Sequence, residues 1–79
     1  TVVLKPATPT PAIAHALAAI IHEAGAPPGV FNLVIGEGDV GRAIVDHKDV
    51  DAISFTGSQG VGAMVALGAI KRQARVQLE

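Results

Sequence analysis

The strongest constraint on the fold is a regular alternation between short β-branched runs and longer segments with helical spacing. Four strand-like runs are present: TVVLK at 1–5, VFNLVI at 30–35, VDAISF at 50–55 and ARVQLE at 74–79. Strands that alternate with helices are typical of parallel sheets with helices on their faces. The order β-α-β-α-β-α-β therefore predicts an α/β fold, an incomplete doubly wound domain with no helix after the fourth strand.

Capping and turn signals define the predicted helices. Thr10 followed by Pro11 is typical of a helix start, Gly25 of a helix stop, and Asp39 is expected to cap the second helix. Helical spacing predicts that the core-facing residues are Ile13, Leu17, Ile20, Ile21 and Ala24 in the first helix, Val40, Ala43 and Ile44 in the second, and Val61, Met64, Val65 and Gly68 in the third.

Composition excludes several classes of function. Hydrophobic residues form 49% of the chain and charged residues 16%, which is too apolar for a disordered segment. The net charge of −1 gives no electrostatic basis for binding nucleic acid or an anionic membrane. No apolar run approaches the roughly 20 residues that span a bilayer, and a cytoplasmic location is expected. The chain has no cysteine, and His15 and His22 are a single pair of histidines, which makes a poor metal site, so no metal site is predicted.

The residues that could bind a ligand or take part in a reaction follow the carboxyl ends of the predicted strands. In an open parallel sheet, ligands bind outside the carboxyl ends of the strands. Lys5 follows the first strand, residues 36–38 (GEG) the second, residues 56–58 (TGS) the third, and Glu79 ends the fourth. We therefore expect a cation, two glycine-containing turns, a hydroxyl group and a carboxylate along one edge of the sheet.

The stretch ISFTGSQGVG at 53–62 suggests a phosphate-binding turn. Gly57 permits close approach of a ligand to the backbone, and Ser58 stands at a helix N-terminus, where free amides favour a phosphate. The stretch matches neither the P-loop nor the Gly-x-Gly-x-x-Gly pattern. A plain strand-to-helix connection through Gly57, Gly60 and Gly62 is the alternative, just as Lys5 and Glu79 taken alone are compatible with solvated strand ends. The basic residues Lys71, Arg72 and Arg75 are interpreted as a solvated turn.

Four blocks taken together resemble one family. TVVLKPATPTP, EAGAPPGVFNLVIGEG, DVDAISFTGSQGVG and RVQLE are similar, in order and in spacing, to the NAD(P)-binding core of the aldehyde dehydrogenase superfamily. The resemblance covers essentially all 79 residues. It implies a Rossmann-like sheet, with residues 1–79 forming part of the NAD(P)-binding domain without an internal boundary. The segments ISFTGS and ARVQLE are most similar in sequence to the 2-oxoglutarate-semialdehyde dehydrogenases.

The resemblance also implies roles for individual residues in binding NADP or NAD. Lys5 corresponds to the lysine that hydrogen-bonds the adenosine ribose, and Ser58, preceded by Gly57, to the serine that contacts the pyrophosphate. The residues bordering the adenine are Gly38, Gly41 and Val61.

The chemistry implied by the resemblance is oxidation of an aldehyde to a carboxylic acid. Glu79 corresponds to the glutamate that activates water for hydrolysis of a thioester. The family's nucleophilic cysteine and oxyanion-hole asparagine correspond to positions outside the chain, so the 79 residues alone are predicted to be inactive. The implied partners are the dinucleotide, an aldehyde held by the rest of the parent enzyme, and further copies in a homo-oligomer.

Two departures from the family pattern concern the cofactor. Many NAD-preferring members carry a ribose-binding glutamate at the third position after the lysine, where this chain has Thr8. A hydroxyl can donate a hydrogen bond to a 2′-phosphate, which a carboxylate would repel, so Thr8 predicts that NADP is accepted. The loop at 36–41 is also one residue shorter than in common members.

Two other functions remain compatible with the residues. One is a non-catalytic nucleotide-binding or interaction module built on the same sheet. The other is a flavodoxin-like phosphate binder, which binding of flavin mononucleotide in place of NADP would reveal.

Overall fold

The computed structural model describes residues 1–79 and confirms the predicted α/β class and the order of all seven elements. The elements are β1 (Val2–Leu4), α1 (Pro11–Glu23), β2 (Phe31–Leu33), α2 (Gly38–Asp46), β3 (Ala52–Phe55), α3 (Gln59–Lys71) and β4 (Arg75–Leu78). Each strand is shorter than its predicted run, because the residues at the ends of the runs lie outside the paired segments.

The strands pair in parallel, as predicted, and they form two separate pairs. β1 pairs with β2, and β3 pairs with β4, giving two two-stranded sheets rather than one continuous ladder. The chain correspondingly divides into two compact units, Thr1–Val40 and Gly41–Glu79. Each unit is described by itself below.

In the first unit, α1 packs on β2 through a different stripe from the predicted one. Ala14 is buried and Ile21 half-buried, whereas Ile13, Leu17 and Ile20 are exposed, Ile13 by 72%. Of the predicted stripe only Ile21 is on the packed side; the prediction was wrong for the other residues because α1 is apolar on most of its circumference, so spacing alone does not select a face. The small side chain of Ala14 lets the helix lie close to the strand.

The turn between β2 and α2 depends on one glycine. A Cβ atom built on Gly36 would lie 2.7 Å from Cβ of Val40, so no other residue fits at this position without a shift of the helix. The expectation that Asp39 caps α2 is wrong: the helix begins at Gly38, and Asp39 lies inside its first turn. A carboxylate there still interacts favourably with the partial positive charge of the helix N-terminus.

In the second unit, α3 packs on β3 and β4 through small residues. Gly62, Val65 and Ala69 are buried, while the predicted core residues Val61 and Met64 are exposed. α3 is also apolar nearly all round, and the buried face is the one whose glycine and alanine allow close packing. None of the three helices is long and apolar enough to cross a membrane.

Arg72 has a structural role that the sequence did not reveal. Its guanidinium group donates hydrogen bonds to the carbonyl oxygen of Val45 through Nε (3.1 Å) and to that of Val50 through a terminal nitrogen (2.7 Å). The side chain is partly buried, so the interpretation of this residue as part of a solvated turn was wrong. Arg72 thereby satisfies a carbonyl of the last turn of α2, a group that has no partner within the helix.

Candidate functional site

The exits of β3 and β4 are joined by hydrogen bonds that continue the parallel ladder. The amide of Glu79 donates to the carbonyl oxygen of Phe55 (2.9 Å), and the amide of Gly57 donates to the carbonyl oxygen of Glu79 (3.1 Å). The turn after β3 and the backbone of Glu79 are therefore held against each other. Within this unit, the prediction that the strand exits share an edge is confirmed.

Ser58 is the N-cap of α3. Its backbone is extended (φ −70°, ψ 154°), and its Oγ accepts a hydrogen bond of 3.3 Å from the amide of Val61. The first backbone bond of the helix runs from Gly62 to the carbonyl oxygen of Ser58, so the amides of Gln59 and Gly60 precede the helical ladder. A hydroxyl that accepts one bond keeps its proton as a donor. The helix start thus offers amides and an O–H group to an anion.

A shallow cleft of about 260 Å³, here called the β3–β4 cleft, opens at this edge. Its lining residues are Phe55, Gly57, Ser58, Gln59, Gly62, Ala63, Leu78 and Glu79. The structure thus brings together three of the predicted site residues, Gly57, Ser58 and Glu79. Val61, predicted to pack beside the adenine, lies on the first turn of α3 outside the lining and is 48% exposed.

Gly57 has a packing role besides any role in binding. A Cβ atom built at Gly57 would lie 2.6 Å from Cζ of Phe55, whereas the φ angle of Gly57 is not positive. The aromatic ring, rather than the backbone conformation, is what excludes a side chain in this structure. Gly60 and Gly62, considered part of the loop in the sequence, lie in the first turn of α3.

The exits of β1 and β2 also share an edge, in the first unit. The amide of Val34 donates to the carbonyl oxygen of Leu4 (3.0 Å), which brings Lys5 and the turn after β2 to the same end of the strand pair. The ammonium group of Lys5 donates to the carbonyl oxygen of Pro6 (2.9 Å), and the residue is half-buried. Lys5 is therefore positioned by its own backbone segment.

A second cleft, here called the β1–β2 cleft, has a volume of about 220 Å³. Its lining residues are Pro6, Ala7, Thr8, Pro11, Ile35, Gly36 and Glu37. The cleft contains the predicted residue Thr8, while Lys5 and Gly38 lie outside its lining. It also contains Glu37, a carboxylate to which the sequence analysis assigned no role. Only the exposed charge in the glycine turn could have drawn attention to Glu37.

The glycines of the turn and helix after β2 differ in what surrounds them. A Cβ atom at Gly38 would have no neighbour within 4 Å, so the packing of the chain itself does not require a glycine there. Open space beside a backbone without a side chain is compatible with the close approach of a planar base. Gly41 lies within α2 and is half-buried.

The ionisable residues do not form a metal centre. No group of three or more histidine and acidic side chains is arranged to hold a metal ion. The one ion pair, between Arg42 and Asp46 (3.6 Å), is exposed on the surface of α2. The polar groups of the β3–β4 cleft are instead hydrogen-bond donors at a helix N-terminus, which favour an anion rather than a cation.

These features define the class of protein and then its family. Parallel strand pairs connected through helices, with glycine turns and a capped helix start at the strand exits, are those of a Rossmann-like α/β protein. A sequence model described as the aldehyde dehydrogenase family matches residues 1–79. The chain belongs to the aldehyde dehydrogenase family.

Individual relatives belong to the same family, and their names give different substrates and cofactors. The alpha-ketoglutaric semialdehyde dehydrogenase of Bacillus subtilis is 46% identical, over 100% of this chain and 16% of its own length. An aldehyde dehydrogenase of Pseudomonas syringae, crystallised with NAD⁺ and octanal, is 51% identical with a TM-score of 0.96, over 100% of this chain and 16% of its own.

An Escherichia coli enzyme described as NADP-dependent is 44% identical with a TM-score of 0.96, again over 100% of this chain and 17% of its own. The chain thus spans about a sixth of the length of these relatives and corresponds to part of a domain in them. Both NAD and NADP are cofactors of the family.

Proposed function

We propose that residues 1–79 form the cofactor-binding part of a longer NAD(P)-dependent aldehyde dehydrogenase, called the parent enzyme below, that oxidises an aldehyde to a carboxylic acid. The observation that carries the proposal is the β3–β4 cleft, in which Gly57, Ser58 and Glu79 line one space. A phosphate-binding helix start and a carboxylate at one strand-exit edge are what a dinucleotide-dependent reaction with an acid–base step requires.

Ser58 and Gly57 bind the pyrophosphate in this proposal. The Oγ of Ser58 accepts the bond from the Val61 amide and donates its own proton to a phosphate oxygen. The partial positive charge at the start of α3 adds an attraction for the anion.

The first unit and α2 bind the adenosine in this proposal. The ammonium group of Lys5 has three protons, and one bond to Pro6 leaves two for the ribose hydroxyls. Thr8 offers a hydroxyl from the β1–β2 cleft. Gly38, Gly41 and Val61 are assigned to the adenine on the strength of the resemblance to the family.

Glu79 acts as the general base. Its carboxylate removes a proton from a water molecule, which attacks a thioester formed between the substrate carbonyl and a cysteine of the parent enzyme; the C–S bond breaks, the cysteine leaves as a thiolate and the carboxylic acid is released. The backbone hydrogen bonds of Glu79 with Phe55 and Gly57 fix the position of the main chain that carries this side chain. A dinucleotide bound there would supply the hydride acceptor for the oxidation. The 79 residues alone contain no cysteine and supply no nucleophile of this kind.

The substrate is proposed to be a semialdehyde, on the strength of the similarity to the Bacillus subtilis relative. A panel containing 2-oxoglutarate semialdehyde and octanal, assayed with the parent enzyme, tests this assignment. A higher kcat/KM for octanal would reject the semialdehyde assignment and leave the family reaction intact.

The parent enzyme is proposed to be a homo-oligomer. Leu67 and Ile70, three positions apart on α3, are 62% and 66% exposed, and neighbouring exposed apolar side chains of this kind mark surfaces that other protein covers. We propose that the remainder of the parent enzyme and a second copy of it bury these apolar side chains. Analytical ultracentrifugation of the parent enzyme tests this, and a monomer at micromolar concentration would contradict it.

The central experiment is calorimetric titration of the parent enzyme with NAD⁺ and with NADP⁺, followed by an assay of aldehyde oxidation. Binding together with turnover supports the proposal. Binding without turnover would indicate the non-catalytic module instead, and binding of flavin mononucleotide without either dinucleotide would indicate the phosphate binder.

A further inference from the structure

The β1–β2 cleft has two walls of different chemical character. One wall is the segment after β1, with Thr8 and neighbouring prolines, and the other is the turn after β2, with Ile35, Gly36 and Glu37. Glu37 is the only charged residue among those that line the cleft. The side chain is exposed and forms no ion pair.

The surrounding charges do not neutralise Glu37. Residues 1–40 contain one lysine, no arginine and three acidic residues, Glu23, Glu37 and Asp39. The ammonium group of the lysine, Lys5, donates to the carbonyl oxygen of Pro6 rather than to a carboxylate. An anion in the β1–β2 cleft would therefore meet a carboxylate without a paired cation.

We infer that Glu37 is a specificity-determining residue that disfavours the 2′-phosphate of NADP in the β1–β2 cleft. The inference rests on the proposed function, in which this cleft receives the adenosine ribose. In dinucleotide-binding folds, a carboxylate near the ribose favours NAD and a nearby arginine accommodates the 2′-phosphate. Here the carboxylate comes from the turn after β2, in the same cleft as Thr8, and it takes the discriminating role that Thr8 itself cannot perform.

The physical basis is like-charge repulsion. A phosphate monoester carries roughly 1.5 to 2 negative charges at pH 7, whereas the ribose hydroxyls of NAD are neutral. The expectation drawn from Thr8 alone, that NADP is accepted, is thus opposed by a second residue that only the folded cleft brings beside it. NADP binding is weakened, and NAD binding is left nearly unchanged.

The test compares Glu37→Gln in the parent enzyme with Glu23→Gln, which removes an exposed carboxylate at the end of α1 away from the cleft. Dissociation constants for NAD⁺ and NADP⁺ are measured by calorimetry at low salt and at 1 M NaCl. For Glu37→Gln we expect NADP⁺ to bind about five- to tenfold more tightly, as expected for a close, partly screened charge pair. NAD⁺ should change by less than about twofold, and the NADP⁺ gain should shrink at 1 M salt, where the Debye length is about 3 Å.

The control and a second variant distinguish the possible failures. An equal gain for Glu23→Gln, or no change in the NADP⁺/NAD⁺ ratio for Glu37→Gln, would overturn the role of Glu37 while the proposed function stands. Thr8→Glu adds a second carboxylate to the cleft and should weaken NADP⁺ further, and failure to do so would also count against the inference. If the unmodified parent enzyme binds neither dinucleotide, the proposed function fails first.

Discussion

The amide of Gly57 donates a hydrogen bond of 3.1 Å to the carbonyl oxygen of Glu79. This bond extends the parallel pairing of β3 and β4 beyond the Phe55–Leu78 pair and ties the turn that begins α3 to the backbone of the candidate base. A change in the turn should consequently affect both the phosphate contacts and the position of Glu79.

The cap of α3 allows the structural and binding roles of Ser58 to be separated. Ser58→Ala should destabilise the start of the helix by about 1 kcal/mol and weaken NAD(P) binding to the parent enzyme about ten- to a hundredfold, through loss of one charge-assisted hydrogen bond. Ser58→Asp restores a cap but repels the pyrophosphate. We expect normal hydrogen exchange of residues 58–65 and the weakest cofactor binding for this variant. Normal cofactor affinity in Ser58→Asp would contradict the phosphate assignment.

The contact between Gly57 and Phe55 predicts a steric effect. A Cβ atom at Gly57 would overlap the ring, so Gly57→Ala should destabilise this edge by about 1 to 3 kcal/mol, measured by hydrogen exchange of residues 52–62 in the parent enzyme. The matched control is Gly60→Ala, where a Cβ atom has no neighbour within 4 Å and a helix gains stability.

A smaller side chain in place of Phe55 should relieve its overlap with a Cβ atom at position 57. Gly57→Ala should therefore cost less in a Phe55→Leu background than in the unmodified protein. If the double variant regains stability but still binds NAD(P) weakly, Gly57 is needed for cofactor approach as well as for packing. An equal cost in both backgrounds would show that the ring is not the obstacle.

Glu79 should be required for turnover rather than for binding. Glu79→Gln in the parent enzyme is expected to lower kcat by about 10²- to 10⁴-fold, the usual contribution of a general base. Cofactor dissociation constants should change by less than about twofold. A burst of one equivalent of reduced cofactor followed by slow turnover would place the defect in hydrolysis. Unchanged kcat would exclude Glu79 as the base, with Glu23→Gln as the charge-matched control.

Arg72 should be important for local stability. Arg72→Met leaves the carbonyl oxygens of Val45 and Val50 without their donor and should cost about 2 to 3 kcal/mol, seen as faster hydrogen exchange in residues 42–52. Arg72→Lys should recover only part of this, because a single ammonium group lacks the planar fork that reaches both acceptors. Lys71→Met, at an exposed neighbouring position, should stay within about 0.5 kcal/mol of the unmodified protein.

The 79-residue chain should oxidise no aldehyde. It lacks a cysteine, so addition of NAD⁺ or NADP⁺ and any aldehyde of the panel should yield no reduced cofactor above the buffer rate. Absorbance at 340 nm measures this directly. Measurable turnover by the purified chain would show that the reaction proceeds without the proposed nucleophile.

The sequence by itself determined the order of the elements, the starts of α1 and α3, and the residues at the strand exits. These properties depend on local signals: proline after Thr10 begins α1, a serine hydroxyl caps α3, and β-branched runs form the strands. Thr10 illustrates a limit even here, since its hydroxyl donates to Ala7 (3.2 Å) instead of capping the helix.

The tertiary structure alone decided which helix faces are buried, how the strands pair and which distant side chains meet. α1 and α3 are apolar nearly all round, so the buried face is set by where alanine and glycine permit close packing on a strand, as at Ala14 and Gly62. The contacts of Arg72 with Val50 and the shared cleft of Thr8 and Glu37 join residues more than 20 positions apart. No local pattern encodes such pairs, because their proximity arises only when the strands have aligned and the helices have packed on them.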